Sequence, residues 1–299
     1  MLQQTQVATV IPYYRRFLKR FPTIAALARA PQDDVLAHWS GLGYYARARN
    51  LHRAAQVIVA EHGGRFPKDF EAVQSLPGIG RSTAGAILAQ AFGQRRAILD
   101  GNARRVFARH AGVPGWPGDP RVARKLWRVA DAQLPQTRLV DYTQALMDLG
   151  ATLCTSRAPR CGDCPVRSDC IARAKGLIDR IPAARPARAR PRKSARVLLI
   201  ENASGEILLE RRPSRGIWGG LWCPPVVAEP ALPGFKLEPL GSLPAFRHSF
   251  THYDFDLQPL RFRVAEGAPA LAGYSWIGPS RLAALGLPAP IRTLLAAPR

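Results

Sequence analysis

Residues 76–100 read LPGIGRSTAGAILAQAFGQRRAILD and begin with a turn signal between two helical patterns. Pro77 disfavours a helical conformation at the residue before it, while Gly78 and Gly80 permit backbone angles that are closed to other residues. The turn leads into a helix of small residues, Ser82–Phe92. The pattern therefore predicts a helix-hairpin-helix.

The start of the predicted second helix is an anion site. Its first amides have no partner inside the helix and point outward, beside the positive end of the helix dipole. Because Gly78 and Gly80 carry no side chain, a phosphate can approach the backbone closely. We therefore expect Gly78, Gly80 and the adjacent Arg81 to contact a nucleic-acid backbone without reading its sequence.

A carboxylate, Asp100, follows the predicted hairpin after one helix and the apolar segment Ala97–Leu99. One helix and one return segment after the turn, this side chain is expected beside the bound strand, where it is a candidate catalytic group. The alternative is that LPGIG is an ordinary turn between helices and that Asp100 only caps a helix starting near Ala103.

The chain is strongly basic. Its 299 residues include 43 Lys and Arg against 21 Asp and Glu, a formal net charge of +22. Such a charge predicts a polyanionic partner, DNA or RNA, although a high genomic GC content also raises the Arg content. No apolar run reaches the ~18 residues of a membrane span and no signal peptide opens the chain. We expect an intracellular, cytoplasmic monomer without membrane contact.

Residues 41–50, GLGYYARARN, predict a second contact with nucleic acid. The two glycines expose a loop with aromatic residues at its tip, and arginines follow. Tyr44 can wedge into a base stack while Arg47 holds a phosphate. The alternative is a helix start with Tyr44 in the core and with Arg47 and Arg49 on a solvated face.

Four cysteines lie close together in the spacing C-x6-C-x2-C-x5-C. Four thiolates at this density in an intracellular protein predict a metal centre, which holds either zinc or an iron–sulfur cluster. Zinc sites more often contain two short Cys pairs, and only one such pair is present, so one 4Fe-4S cluster is favoured over zinc. The candidate ligands are Cys154, Cys161, Cys164 and Cys170.

The composition changes along residues 180–195, which are rich in Pro and Arg and predict an extended basic linker. Residues 1–179 show helical patterns almost throughout, and residues 196–299 predict a mixed α+β domain. Strands are expected at Val197–Ile200, Ile207–Glu210, Phe246–Phe250, Tyr253–Leu257 and Leu260–Val264.

Short motifs along essentially the whole chain match one known family. They are MLQQTQV (1–7), GLGYYARARNL (41–51), LPGIGRSTAGAI (76–87), ILDGN (98–102) and the cysteine spacing, followed by GIWGGLW (216–222) and FRHSFTH (246–252). Together they resemble the MutY-type adenine DNA glycosylases. The resemblance implies a mostly α helix-hairpin-helix glycosylase domain with a six-helix barrel and an iron–sulfur cluster, followed by an α+β MutT-like (Nudix-like) domain.

The implied activity is base-excision repair of double-stranded DNA. Enzymes of this family remove an undamaged adenine that is mispaired with 8-oxoguanine or guanine. Breaking the N-glycosidic bond leaves a positively charged sugar, which a carboxylate stabilises far more than it stabilises the substrate. Asp100 matches the family's catalytic carboxylate, as an electrostatic or transiently covalent partner, and Asn102 matches a residue that orients the site.

The resemblance also implies contacts with the lesion pair and the type of reaction. Ser82 occupies the position where relatives that also cut the strand carry a Schiff-base lysine, so a monofunctional glycosylase is expected. A bifunctional glycosylase-lyase for oxidised pyrimidines and a lesion-binding protein without catalysis are the competing hypotheses. Gln4, Thr5, Leu42 and Tyr44 match residues that contact or wedge beside the lesion pair, and Thr251 and His252 match a loop that inspects 8-oxoguanine.

Two departures from known patterns affect the expected activity. The family's general acid is a glutamate two residues before the position of Met1, and losing a general acid costs ~10²–10⁴-fold in rate. We expect either that the start has been assigned too late or the chain trimmed, or that this chain binds the mispair and excises adenine poorly. After Trp222, only Glu229 stands where a Nudix hydrolase has a glutamate-rich helix, so recognition is expected there rather than hydrolysis.

Overall fold

The computed structural model describes residues 1–3, 5–187, 189–214, 216–250, 252–264, 271–282 and 284–296. The chain folds into two compact units, one formed by Met1–Arg65 together with Ala189–Arg299 and the other by Phe66–Arg188. The domain limits predicted at residues 179 and 196 stay a prediction. The predicted DNA contacts Gln4 and Thr251 lie outside the described residues.

Helices open the first unit. Thr23 caps the second of them, because its hydroxyl accepts a hydrogen bond from the amide of Ala26 at 3.0 Å. The fourth ends at Gly63, whose φ of 58° is the left-handed conformation that glycine adopts at helix ends. The helices are Val7–Arg20 (α1), Ile24–Arg29 (α2), Gln32–Trp39 (α3) and Ala46–His62 (α4).

The described residues of the first unit also form an eight-stranded sheet. Its order is β3-β2-β1-β7-β5, with β8 beside β2, β4 beside β1 and β6 beside β7. Strands β1 and β7 are parallel, and the other pairs are antiparallel. The strands are Arg192–Glu201 (β1), Ile207–Arg211 (β2), Trp222–Cys223 (β3), Val226–Val227 (β4), Leu237–Ser242 (β5), Phe246–Ser249 (β6), Asp254–Val264 (β7) and Tyr274–Ile277 (β8).

The helices and the sheet of this unit share one apolar core. Trp39 and Leu36 of α3 are fully buried in the same cluster as Val197 of β1 and Leu221. Burial of these side chains, at about 25 cal/mol per Å² of apolar surface, holds the first helices against the sheet. Two short helices, Pro279–Leu282 and Ala289–Ala296, follow the sheet and complete the unit. Ile291 of the second helix is buried in the same cluster.

The secondary-structure elements among the described residues of the second unit are all helices. Its main core is formed by Ile98 and Leu99, by Val106 and Phe107 of the third helix, and by Leu126 of the fourth. The helices are Phe70–Ser75 (α5), Arg81–Phe92 (α6), Gly101–His110 (α7), Pro120–Ala132 (α8) and Leu139–Asp148 (α9), which continues as a π-helical turn, Leu149–Leu153, and is followed by Ile171–Ala174 (α10). The two helices at the chain's end are therefore α11 and α12.

Strands β3, β4, β5 and β8 were not predicted from the sequence, and the predicted limits differ most at β7 and β1. The two strands expected on either side of Pro259 form one strand, β7. Proline has no amide to donate, but the carbonyl of Pro259 accepts a hydrogen bond from the amide of Leu243 at 3.1 Å, so the strand continues through it. Strand β1 begins at Arg192, inside the predicted linker, because its first residues pair with β7 from Asp254 onward. None of the described helices is both long and apolar enough to cross a membrane.

Candidate functional site

The predicted hairpin is present between α5 and α6. Helix α5 ends at Ser75, and Gly78 adopts a φ of 80°, which a side chain would strain. Both Gly78 and Gly80 are exposed, and a Cβ atom built on Gly80 would meet nothing within 4 Å. The N-cap residue of α6, Gly80, makes no side-chain cap hydrogen bond. This turn has the geometry of an anion site.

Arg81 lies at the first position of α6. Its guanidinium stacks 3.8 Å from the centre of the Trp127 ring, and it forms an ion pair with Asp131 at 3.4 Å. Both charged side chains are about half exposed to solvent, so the ion pair is weak. The arginine is held beside the hairpin, and its contact with DNA stays a prediction.

Asp100 is an exposed carboxylate at the N-cap of α7. Its Oδ1 accepts a hydrogen bond from the amide of Ala103 at 2.7 Å. The capping role that the sequence left open is therefore present, and it fixes the side chain at the positive end of a helix dipole, where a carboxylate is stabilised. Capping does not compete with a catalytic role, because one oxygen is engaged and the side chain stays exposed.

Ser82 connects the hairpin helix to the residue before Asp100. Its hydroxyl accepts a hydrogen bond from the amide of Leu99 at 2.8 Å. The small residues of α6 allow this close approach, since a Cβ atom on Gly85 would lie 2.5 Å from the carbonyl oxygen of Ala97. The segment that carries Asp100 is thus held against the start of α6.

Asn102 lies in the first turn of α7 and contacts an arginine that the sequence analysis did not identify. The guanidinium of Arg105 donates to Asn102 Oδ1 at 2.9 Å and to the carbonyl of Cys154 at 2.6 Å. Burial lowers the pKa of Arg105, while the charges of Cys154 and, to a smaller extent, Asp100 act in the opposite direction. Gly150 of the π-helical turn packs directly on Asn102, because a Cβ atom there would lie 2.6 Å from Asn102 Cβ.

The four predicted cysteine ligands are free thiols of intermediate exposure. Burial raises the pKa of Cys161, and the charges of the other three cysteines raise it further, so all four lie near enough to interact. Among the described residues, no group of three or more His, Cys, Asp or Glu side chains could hold a metal ion as arranged. The donor chemistry nevertheless suits a cluster, whose several irons spread four thiolates farther apart than one zinc ion does.

Arg109 is a second arginine that the sequence analysis did not identify, and it contacts the start of the cysteine loop. Arg109 of α7 is 3% exposed and donates to the carbonyls of Ile181 at 2.8 Å and Thr155 at 2.6 Å. Its guanidinium also lies 3.5 Å from the sulfur of Cys154. Only its position on the buried face of α7 could have suggested this role, because its acceptors are backbone atoms.

The Gly41–Tyr44 loop of the first unit presents Tyr44 to solvent. The tyrosine is 51% exposed and has a φ of 48°, an uncommon conformation for a residue with a side chain. Leu42, in contrast, is 6% exposed and packs in the core cluster. The alternative that Tyr44 is a core residue is therefore wrong for this structure, and the DNA contact of Leu42 stays a prediction.

Arg47 binds protein atoms. Its guanidinium donates to Thr5 Oγ1 at 3.1 Å and to the carbonyls of Leu42 and Gly43, both at 3.2 Å. It also donates to the carbonyls of two N-terminal residues, Met1 and Gln3. Burial lowers its pKa from the usual arginine value. This guanidinium thus links two predicted DNA-contacting segments, and a phosphate contact stays a prediction.

His252 belongs to an aromatic cluster at the end of β6 and the start of β7. Its ring centre lies 6.2 Å from that of Phe250 and 4.6 Å from that of Tyr253. The residue is exposed, as a loop that inspects a base requires. The stretch between β4 and β5 contains no helix, and Glu229 there is 85% exposed, in agreement with the absence of a glutamate-rich helix from the sequence.

Comparisons with known proteins agree with this geometry. The sequence profile of the HhH-GPD superfamily of base excision DNA repair proteins matches residues 1–132, and that of the NUDIX domain matches residues 196–297. The chain is 34% identical to the adenine DNA glycosylase of Buchnera aphidicola over 99% of this chain and 87% of that protein. It is 37% identical to the adenine DNA glycosylase of Homo sapiens over 77% of this chain and 51% of that protein.

A solved structure supports the fold of the helical part. The chain is similar to a thermostable thymine-DNA glycosylase with a TM-score of 0.52 and 27% identity, over 58% of this chain and 80% of that one. The predicted fold class, a helix-hairpin-helix domain followed by a Nudix-like α+β domain, is confirmed by these matches.

Proposed function

Because the chain belongs to the adenine DNA glycosylases, base excision repair enzymes that hydrolyse N-glycosyl bonds, we propose that it removes adenine opposite 8-oxoguanine or guanine in double-stranded DNA. The formal charge of +22 supports a polyanionic partner. The exposed turn at Gly78 and Gly80 supports a grip on the DNA backbone. Tyr44 and His252, both exposed, are the proposed contacts with the lesion pair.

The observation that carries the catalytic assignment is the position of Asp100. Its carboxylate is exposed, caps α7 by accepting a hydrogen bond from the amide of Ala103, and is attached to the segment that Ser82 holds against the hairpin helix. A fixed negative charge costs no reorganisation when positive charge develops on the sugar. Asn102, bonded to Arg105, is proposed to orient the groups around it.

The proposed reaction balances as a hydrolysis. The bond between C1′ of the sugar and N9 of adenine breaks, and its electron pair leaves with adenine, which gains a proton from a general acid. Asp100 stabilises the sugar cation that remains. Water then bonds to C1′ and releases a proton, which leaves free adenine and an abasic site. In the family that the sequence resembles, a glutamate supplies this proton.

We propose that the enzyme is monofunctional. Strand cleavage by the imine route needs an amine nucleophile. The hydroxyl of Ser82 cannot form an imine, and it is already occupied by the amide of Leu99. Base loss without direct strand scission is therefore expected.

A 4Fe-4S cluster is proposed on Cys154, Cys161, Cys164 and Cys170. Arg109 beside Cys154 supports this assignment, because a buried cation offsets the negative charge of four thiolates. Such a cluster would stabilise the loop that follows α9, and no chemical step is assigned to it. Iron and inorganic sulfide analysis tests the proposal: Cys161→Ser should lose both, and Cys223→Ala, in β3, should keep both. Zinc without sulfide would contradict it.

The catalytic proposal is tested by single-turnover excision on a duplex with adenine opposite 8-oxoguanine. Asp100→Asn should abolish adenine release, because asparagine still caps a helix but carries no charge. Asp69→Asn is the matched control, since Asp69 Oδ1 caps α5 through the amide of Ala72 at 2.9 Å. The control should excise adenine at the wild-type rate.

The outcomes separate the competing hypotheses. Adenine release that survives in Asp100→Asn would contradict the catalytic role. Tight binding of the mispair by the wild-type chain without base loss would favour the lesion-binding alternative, and strand scission at oxidised pyrimidines would favour a glycosylase-lyase.

A further inference from the structure

Both ends of the Gly41–Tyr44 loop are attached to one backbone carbonyl near the end of the chain. The hydroxyl of Ser40 donates to the carbonyl oxygen of Leu287 at 3.2 Å, and the hydroxyl of Tyr45 donates to the same oxygen at 3.1 Å. These two residues flank the loop directly. The loop is therefore fixed at both ends by an acceptor that is distant in sequence.

The loop needs external support because its backbone is strained. Gly41 and Gly43 have φ values of 103° and 69°, which glycine tolerates, and Tyr44 has a φ of 48°, which costs energy for a residue with a Cβ atom. Such a conformation persists only where the surroundings impose it. Tyr45 lies next to Tyr44 in the chain, and its hydroxyl also accepts a bond from the Gly41 amide at 3.5 Å.

The acceptor itself is rigidly held. Leu287 is 1% exposed and packs in a core cluster with Ile207 and Leu209 of β2. Arg292 of α12 donates to Ser40 Oγ at 3.0 Å and to the carbonyl of Leu285 at 2.9 Å, which ties the same segment to Ser40 a second time. Because this carbonyl is fixed relative to the sheet, the hydrogen bonds it accepts hold both ends of the loop in place relative to the sheet.

We propose that Tyr45 and Ser40 are positioning residues through which the Leu285–Leu287 segment holds Tyr44 in its DNA-contacting conformation. The Nudix-like domain thus supports lesion recognition at a loop outside its own sequence, in addition to its own His252 loop. This inference rests on the proposed function, because it takes Tyr44 as a wedge beside the lesion pair.

The test is a double-mutant cycle on binding and on base unstacking, measured with the full chain. Equilibrium binding compares a duplex containing adenine opposite 8-oxoguanine with the undamaged duplex, and a fluorescent adenine analogue beside the pair reports unstacking. Tyr45→Phe should reduce the preference for the lesion about two- to tenfold, the effect of one net hydrogen bond. Tyr14→Phe, which removes a hydroxyl from a half-exposed side chain of α1, is the matched control and should change neither measurement.

The cycle distinguishes positioning from general stability. If Tyr45 acts through Tyr44, Tyr45→Phe should have no further effect in a Tyr44→Ala background, whereas independent effects would add. Ser40→Ala should behave like Tyr45→Phe. Wild-type preference for the lesion in Tyr45→Phe, or additivity with Tyr44→Ala, would overturn the inference alone. A wild-type protein with no preference for the lesion would overturn the proposed function as well.

Discussion

The hydroxyl of Ser82 and the amide of Leu99 form a 2.8 Å hydrogen bond between residues that are 17 positions apart. Leu99 is 1% exposed and directly precedes Asp100. Ser82 stands where relatives that also cut the strand carry a lysine, and the hydrogen bond to Leu99 gives it a structural role. It joins the helix that starts at the hairpin to the carboxylate proposed for catalysis.

Ser82→Ala should lower both stability and adenine excision. It leaves the buried Leu99 amide unpaired, which costs about 1–3 kcal/mol of unfolding free energy. Asp100 should also lose part of its alignment. Ser82→Thr keeps the hydroxyl and should recover most of both properties. Urea unfolding and single-turnover kinetics provide the measurements, with Ser75→Ala at the end of α5 as a control. Normal stability in Ser82→Ala would contradict this account.

Arg109→Met should destabilise the second unit and reduce the iron content expected from the proposed cluster. The substitution leaves the carbonyls of Ile181 and Thr155 without their charged donor, and such bonds are worth about 1.5–3 kcal/mol each. Thermal unfolding and iron analysis measure the two effects. Arg160→Met, in the cysteine loop and with a 62% exposed side chain, should change stability by less than about 0.5 kcal/mol. Equal effects of the two substitutions would refute a special role for Arg109.

Local chemistry made much of the fold predictable. The hairpin at Pro77–Gly80 and the cap at Asp100 depend on turn and capping preferences of a few adjacent residues, and both are present. The turn signal at Asn202–Gly205, between two apolar runs, predicted the strands from Val197 to Glu210. Pro259 was misleading because proline usually interrupts a strand, and only the pairing of β7 with its neighbours makes it acceptable there.

Contacts between distant residues were not predictable. Arg105 and Arg109 bind backbone carbonyls, which every residue carries, so no residue type marks the acceptors. The bond from Tyr45 to Leu287 spans 242 positions and depends on how α3 and α4 pack against the sheet. An arginine in an exposed loop is typical of a phosphate contact. Only the five protein acceptors of Arg47, seen in the structure, indicate a structural role.

Stability should fall in mild acid partly because of His248. Burial lowers the pKa of this residue on β6, where its ring packs 4.6 Å from Phe250. Its pKa in the unfolded chain is about 6.5, so the unfolded state binds more protons as the pH falls. The stability that the neutral His248 side chain contributes is fully present above a pH of about 6.5. It is lost as the pH falls toward the lower pKa of His248 in the folded state. His248→Gln should flatten the dependence of unfolding free energy on pH below about 6.5. An unchanged slope in His248→Gln would contradict the assignment.

Arg47→Lys should weaken lesion binding without changing its salt dependence. A residue that neutralises one phosphate contributes about 0.9 to the slope of log affinity against log salt, and its loss reduces that slope. Arg47 instead donates to Thr5 and to the carbonyls of Leu42 and Gly43. A single ammonium cannot reach all of these acceptors, so the segments that carry Thr5 and Tyr44 should separate.

Titrations at several salt concentrations distinguish the two roles of Arg47. Lower affinity for adenine opposite 8-oxoguanine with parallel salt plots is expected for Arg47→Lys, because lysine keeps the charge but not the bridge. Arg47→Gln should likewise leave the slope unchanged, since the guanidinium of Arg47 donates to five protein acceptors. A slope that falls by about one in Arg47→Gln would show that the guanidinium binds a phosphate after all, and that Arg47 leaves its protein acceptors when DNA binds.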